Sequence, residues 1–194
     1  MAESNITKKA MAKAFKKLLQ KKSFTSITIT DICQNCGMNR KSFYYHFKDK
    51  YDLVNWIFKT EFLDVLKKEK LTYNEYISLK NLEHLVEFFY KDRFFYKKVF
   101  QIEGQNSFNE YFRSLCYPLL VERLKKIFET EQITQFQVNF YADAVMCSIK
   151  RWITSIEPMK PNEFVEQIVL CIVKPTMYLY KEIKQKELKG DKND

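Results

Sequence analysis

Residues 39–50 read Asn-Arg-Lys-Ser-Phe-Tyr-Tyr-His-Phe-Lys-Asp-Lys, a stretch rich in groups that donate hydrogen bonds to anions and to base edges. Arginine and lysine donate to the O6 and N7 acceptors of guanine, while hydroxyls and ammonium groups hold phosphate oxygens. At helical spacing the side chains sort by face. Phe43 and Phe47 stand at i and i+4 and form an anchoring side, whereas Arg40, Lys41, Tyr44, Tyr45 and Lys48 lie opposite, with Ser42 near the start. An exposed helix that is merely polar is the plain alternative. Catalysis finds little support: the only histidines are His46 and His84, and no Gly-rich phosphate loop, nucleophile elbow or metal set is present. Cys33 and Cys36 form a Cys-x-x-Cys pair without a second pair, and i, i+3 packing on one helix face explains them at least as well as metal or redox chemistry. No catalytic residue, metal or cofactor is expected.

The flanking residues carry the signals needed to position that helix. Thr28 is a candidate N-cap with Asp31 at N3, and Ile27 can staple onto Ile32. Gly37 can take the left-handed conformation that ends a helix. Asn39 then caps the next helix with Met38 and Phe43 at staple positions, and Asp49 and Asp52 repeat the start signal. Two short helices, a tight turn and the beginning of a third are the result.

Charge is distributed unevenly. Residues 1–55 hold eleven Lys/Arg against four Asp/Glu, a net of +7, while the remaining 139 residues carry only +2. A basic segment attracts phosphate backbones or anionic lipid through salt-sensitive fields, with a solvated lysine face as the bland alternative. No run approaches the ~18 apolar residues of a membrane span, and the first residues lack the apolar core of a signal peptide. A cytoplasmic protein without membrane insertion is expected.

Three glycines and four prolines in 194 residues favour long helices over strands and turns. The expected fold is all-α with about nine helices: a three-helix helix-turn-helix head over residues 1–52, a helical regulatory and dimerisation domain over 53–188, and a frayed tail, 189–194. The expected helices cover about 6–21, the two short ones, 49–69, 75–90, 93–102, 107–130, 136–155 and 161–187, the last kinked at Pro175. Ser107 with Glu110 and Thr134 with Gln137 form capping boxes, and Pro161 suits a first helical turn. The last two long helices are apolar on more than one side, so a second copy of the chain is the expected cover, with a thick intramolecular core as the alternative.

With these residues in place, the stretch Thr28–Leu53 resembles the helix-turn-helix of the TetR family of bacterial transcription regulators. The resemblance lies in Ile-Thr-Ile-Thr-Asp-Ile (residues 27–32), Gly37-Met38-Asn39, Ser42-Phe43-Tyr44-Tyr45-His46-Phe47, Lys50 and Leu53. A fainter similarity, in Ile6–Gln20 and Asn55–Phe58, is to regulators grouped with the dihydroxyacetone kinase operon activator. The resemblance implies that Arg40, Lys41 and Ser42 face the major groove. Tyr44, Tyr45, His46 and Lys50 would contact or border the phosphate backbone together with Thr28 and Thr30, with Asn39 counted in the same set. Two positions depart from the family pattern: Cys33 and Lys41 replace small residues, and Lys41 adds a cation to the reading face. A neutral, packed histidine is the alternative for His46.

The resemblance further implies a DNA-binding regulator whose partners are a double-stranded operator, a second subunit and a small-molecule effector or co-regulator protein. Phe88, Phe89, Phe95, Phe100, Phe112 and Trp152, with Phe128, are candidate walls of an effector pocket, with plain core packing as the alternative. His84, Arg93, Glu103 and Arg151 are polar candidates for orienting a ligand. A membrane-surface or protein-partner module without specific DNA recognition is the rival reading.

Overall fold

The structure, a computed structural model, describes residues 2–68, 79–104 and 106–190. Among the described residues there are ten α-helices and no strand: α1 (Ala2–Lys21), α2 (Ile29–Cys36), α3 (Arg40–His46), α4 (Lys50–Lys68), α5 (Leu79–Lys91), α6 (Arg93–Val99), α7 (Phe108–Phe128), α8 (Gln135–Thr154), α9 (Pro161–Ile168) and α10 (Lys174–Gly190). The all-α class read from the scarcity of Gly and Pro is therefore the observed one, with one helix more than expected. Part of the expected 75–90 helix and the tail beyond Gly190 lie outside the described residues.

The chain divides into two compact units. The first takes residues 1–71 and 88–112, and the second takes 72–87 and 113–194. Within the first, α1 packs on α2, α3, α4 and α6 through Met11, Phe15, Leu18 and Leu19, all buried. Lys9, Lys13, Lys17 and Lys21 of α1 are exposed on its other side, as amphipathic spacing requires. α4 runs unbroken through positions 52 and 53, burying Leu53, Val54, Ile57 and Phe58. Lys16 ties this unit together: its ammonium donates to both carboxylate oxygens of Glu61 on α4 (2.7 and 2.9 Å) and to Asp92 between α5 and α6 (2.7 Å).

In the second unit, Thr134 caps α8 through a complete capping box with Gln137. Val138, Ala142, Ile149, Trp152 and Ile153 of α8 are buried, as are Phe164, Val165 and Ile168 of α9. Other apolar side chains face outward: Phe136 and Phe140 on α8, and Tyr178, Leu179 and Ile183 on α10, are each more than half exposed.

The last helix departs from expectation in a definite way. Instead of one helix kinked at Pro175, α9 passes into a π-helical turn, Val169–Val173, in which Lys174 N–H donates to Val169 O, before α10 begins. Proline has no amide donor, and its ring crowds the carbonyl four residues back, here Cys171. A locally widened turn absorbs that conflict upstream of the proline itself.

Candidate nucleic-acid interface

α3 has seven residues, too few to persist as an isolated helix, so packing must hold it. Phe43 is fully buried and Phe47 nearly so, with their rings 5.7 Å apart. Each buried ring stabilises the head by about 1.5–3 kcal/mol. The opposite face is left to solvent: Tyr45 is 82 % exposed and Tyr44 51 %.

Local signals set the angle of α3. Thr28 Oγ accepts from Asp31 N–H (3.0 Å), and Asp31 accepts in return from Thr28 N–H (2.9 Å) and from its hydroxyl (2.8 Å). The backbone N–H of Thr28, then its hydroxyl and the ammonium of Lys22, hold the Asp31 carboxyl down at about 2. Gly37 sits at φ 68°, ψ 28°, and the following Met38 N–H returns to Cys33 O at 2.9 Å. Asn39 Oδ1 accepts from Ser42 N–H at 2.8 Å and starts α3. Asp49 Oδ1 accepts from the amides of Tyr51 and Asp52 (2.8 and 2.9 Å) and starts α4.

This geometry separates residues with donors to spare from those already committed. Arg40, Lys41, Tyr44, Tyr45 and Lys48 are exposed on one short segment that holds no carboxylate before Asp49. Arg40 lies 5.9 Å over the Tyr44 ring, an arrangement that pre-orients its guanidinium. Among the described residues Lys41 and Lys48 make no ion pair. Thr30 and Thr28 are both exposed on the first turn of α2, yet the only hydroxyl proton of Thr28 goes to Asp31. Asn39 keeps only its amide donors, because its oxygen caps α3. Lys50 is committed altogether: its ammonium donates to the carbonyls of Phe24 (2.7 Å), Ile27 (2.9 Å) and Thr25 (3.3 Å).

His46 is half-buried, with its ring 4.9 Å from that of Tyr45. Burial, then the nearby charge of Lys8, lower its pKa and favour the neutral ring. Lys8 carries no motif that marks it in the sequence. Its ammonium stands 5.8 Å from the Phe47 ring and 5.9 Å from that of Trp56, which brings the start of α1 to the end of α3. The only signal for it was the excess charge of the first 55 residues.

Cys33 is buried, and Cys36 donates to Cys33 O (3.4 Å); burial pushes both thiols up, away from the reactive thiolate. Among the described residues no group of three or more His, Cys, Asp or Glu is placed to hold a metal ion. No described helix is long and apolar enough to cross a membrane.

The candidate effector residues do not form one set. Phe88, Phe89, Phe95, Phe100 and Phe112 belong to a ring cluster of the first unit, built around Phe58, Tyr96 and Phe108. Tyr96 is fully buried there, and its hydroxyl has no hydrogen-bond partner. Trp152 belongs to the second unit, where it stacks on Phe164 at 4.6 Å and donates to Met159 O. With Arg151 it lines an open groove of about 610 Å³. His84 lies on α5 and is half-buried, with Nε2 buried and unbonded.

Comparison with known proteins bears on both halves of the chain. Residues 12–57 match the model of bacterial regulatory proteins of the tetR family, and residues 78–174 match that of a transcriptional regulator C-terminal region. The HTH-type dhaKLM operon transcriptional activator DhaS of Lactococcus lactis subsp. lactis (strain IL1403) is 29% identical over 160 residues, covering 78% of this chain and 81% of that one. Two solved structures share the fold. One is a dihydroxyacetone kinase operon activator DhaS (24% identity, TM-score 0.57, 91% of this chain and 97% of that one). The other is a TetR transcriptional regulator from Streptococcus agalactiae 2603V (22% identity, TM-score 0.64, 88% and 96%).

Proposed function

Because the chain belongs to the TetR family of transcription regulators, we propose that it acts as a homodimer on a near-palindromic operator in the cytoplasm. One α3 per subunit would enter each of two successive major grooves. The observation that carries this reading is the face of α3: Arg40, Lys41, Tyr44 and Tyr45 stand exposed and free of carboxylates above a buried Phe43–Phe47 anchor. Arg40, Lys41 and Ser42 would read bases, while Thr30, Tyr44, Tyr45, Lys48 and Lys8 would hold phosphates. The head that does this is residues 1–52, with the remainder regulating and dimerising.

The dimer would form through α8 and α10. Phe136, Phe140, Tyr178, Leu179 and Ile183 are exposed in the lone chain, and an isologous contact would cover them. DNA binding would be controlled by a small molecule or partner protein acting on the C-terminal part. For a small molecule, the aromatic cluster around Tyr96 is supported by its one buried, unbonded hydroxyl, which offers a polar handle within an apolar surround. The test is electrophoretic mobility shift or fluorescence anisotropy with duplexes that the protein itself selects from a random-sequence pool. Enrichment of a two-fold site supports the reading, and binding no tighter than to random DNA at moderate salt refutes it.

A further inference from the structure

Lys50 opens α4, where the helix dipole is positive and a cation is disfavoured. The structure shows what compensates. The three N–H donors of the ammonium meet three carbonyl oxygens, those of Phe24, Thr25 and Ile27, and the charge stands 4.4 Å over the Phe24 ring. The Phe24 ring in turn meets Tyr51, the next residue of α4, at 4.8 Å. All three carbonyls belong to the short connection between α1 and α2, whose other bonds are local: the turn bonds Ser26 N–H to Ser23 O (3.2 Å) and Ile27 N–H to Phe24 O (3.3 Å), and the contacts of the Ser23 hydroxyl with Thr25 Oγ1 (3.0 Å), Ser26 Oγ (2.7 Å) and Ser26 N–H (3.3 Å). The residue after Ile27 is Thr28, the cap of α2, and Thr30 follows on its first turn.

We propose that Lys50 is a positioning residue for DNA recognition: its ammonium pins the α1–α2 connection onto the start of α4 and so fixes the first turn of α2, rather than touching phosphate. The proposal rests on the DNA-binding reading above and differs from the phosphate contact that the family resemblance implies for this position. Its chemistry is that of a cation in a carbonyl cage. Arginine keeps the charge, but its planar fork does not match three converging oxygens. Every donor of Lys50 is engaged, so its ammonium does not make the direct phosphate contact that adds about 0.9 to the salt slope.

The experiment measures affinity against salt for the wild type, Lys50→Met, Lys50→Arg and, as a contact control, Lys41→Ala, using a duplex selected from a random pool. Lys50→Met and Lys50→Arg should each weaken binding by roughly tenfold, as expected when the part-buried carbonyl contacts to Phe24 and Ile27 lose a charged donor, with the slope of log K on log salt unchanged. Lys41→Ala should reduce that slope by about 0.9. A slope reduced by about 0.9 in Lys50→Met, or wild-type affinity in either variant, overturns the proposal. Acetylation of the wild-type protein, read by mass spectrometry, tests the cage without relying on any variant's folding. Lys50 should react slowly with and without DNA, whereas Lys41 and Lys48 should be reactive and become protected by DNA. Fast modification of Lys50 in the free protein refutes the cage. Should no duplex bind, the DNA reading fails, while the DNA-free acetylation still tests the cage on its own.

Discussion

Gly37 is where the two helices of the head are turned against each other, and its replacement by alanine has a calculable cost. At φ 68° an L-residue brings its Cβ close to its own backbone carbonyl, a penalty of about 1–2 kcal/mol. A Cβ built at this position meets nothing within 4 Å, so no packing clash is added. Alanine also restricts the unfolded chain, which returns about 0.4–1 kcal/mol. The net loss should be about 1 kcal/mol, or roughly 2–4 °C in melting temperature for a chain of this size. Paired denaturant titrations and thermal scans of wild type, Gly37→Ala and Gly37→Asn would measure it. Asparagine, which tolerates the left-handed region, should lose less than alanine. Unchanged stability in Gly37→Ala would refute the claim that the turn requires this conformation. A loss above about 3 kcal/mol would refute the claim that only backbone strain is involved.

Other perturbations separate the parts of the account. Arg40→Ala should relax base preference at one operator position at a cost of about 1–3 kcal/mol, whereas Lys48→Ala should weaken all duplexes alike, as competition anisotropy would show. The Asp31 carboxyl is held below its ordinary 3.8, so the native chain takes up this proton less readily than the unfolded one. Its contribution is whole above that ordinary value and is lost as pH falls toward about 2; the stability gap between wild type and Asp31→Asn should therefore shrink between about pH 6 and about pH 3 in urea titrations. Phe140→Glu combined with Leu179→Glu should leave the stability of the lone chain within about 0.5 kcal/mol per site, because both side chains are exposed there. The same pair should convert a dimer to monomer in sedimentation analysis; a dimer that survives it would place the interface elsewhere.

Local chemistry made much of the head legible from sequence. The box formed by Thr28 and Asp31, the left-handed Gly37 and the Asn39 cap are each encoded within four residues, and each is present in the structure. The same holds for Thr134 and Gln137, while Ser107 and Glu110 show the Ser107 Oγ acceptor half of their box, at 3.5 Å. The i, i+4 spacing of Phe43 and Phe47 likewise foretold a buried side. What could not be read depends on separation along the chain. Lys50 meets carbonyls 23 to 26 positions away, and Lys8 reaches the rings of Phe47, just past α3, and of Trp56 on α4. No periodicity carries such pairings. The widened turn before Pro175 was foreseen only as a kink, because proline announces a conflict without stating which residues will absorb it. In the body, aromatic composition could not sort its rings: Phe89, Phe95, Phe100 and Phe112 are buried and Phe88 half-buried in one unit, while Trp152 belongs to the other.

The most direct test of the central claim is a selection from random-sequence duplexes, followed by native mass spectrometry of the protein with the enriched DNA. The expected product is a near-palindrome whose half-sites lie about one helical turn apart or a multiple of it, bound by two-fold sets of chains, with affinity falling steeply with salt. Recovery of an unenriched pool, or of a single half-site bound by one chain, would contradict it.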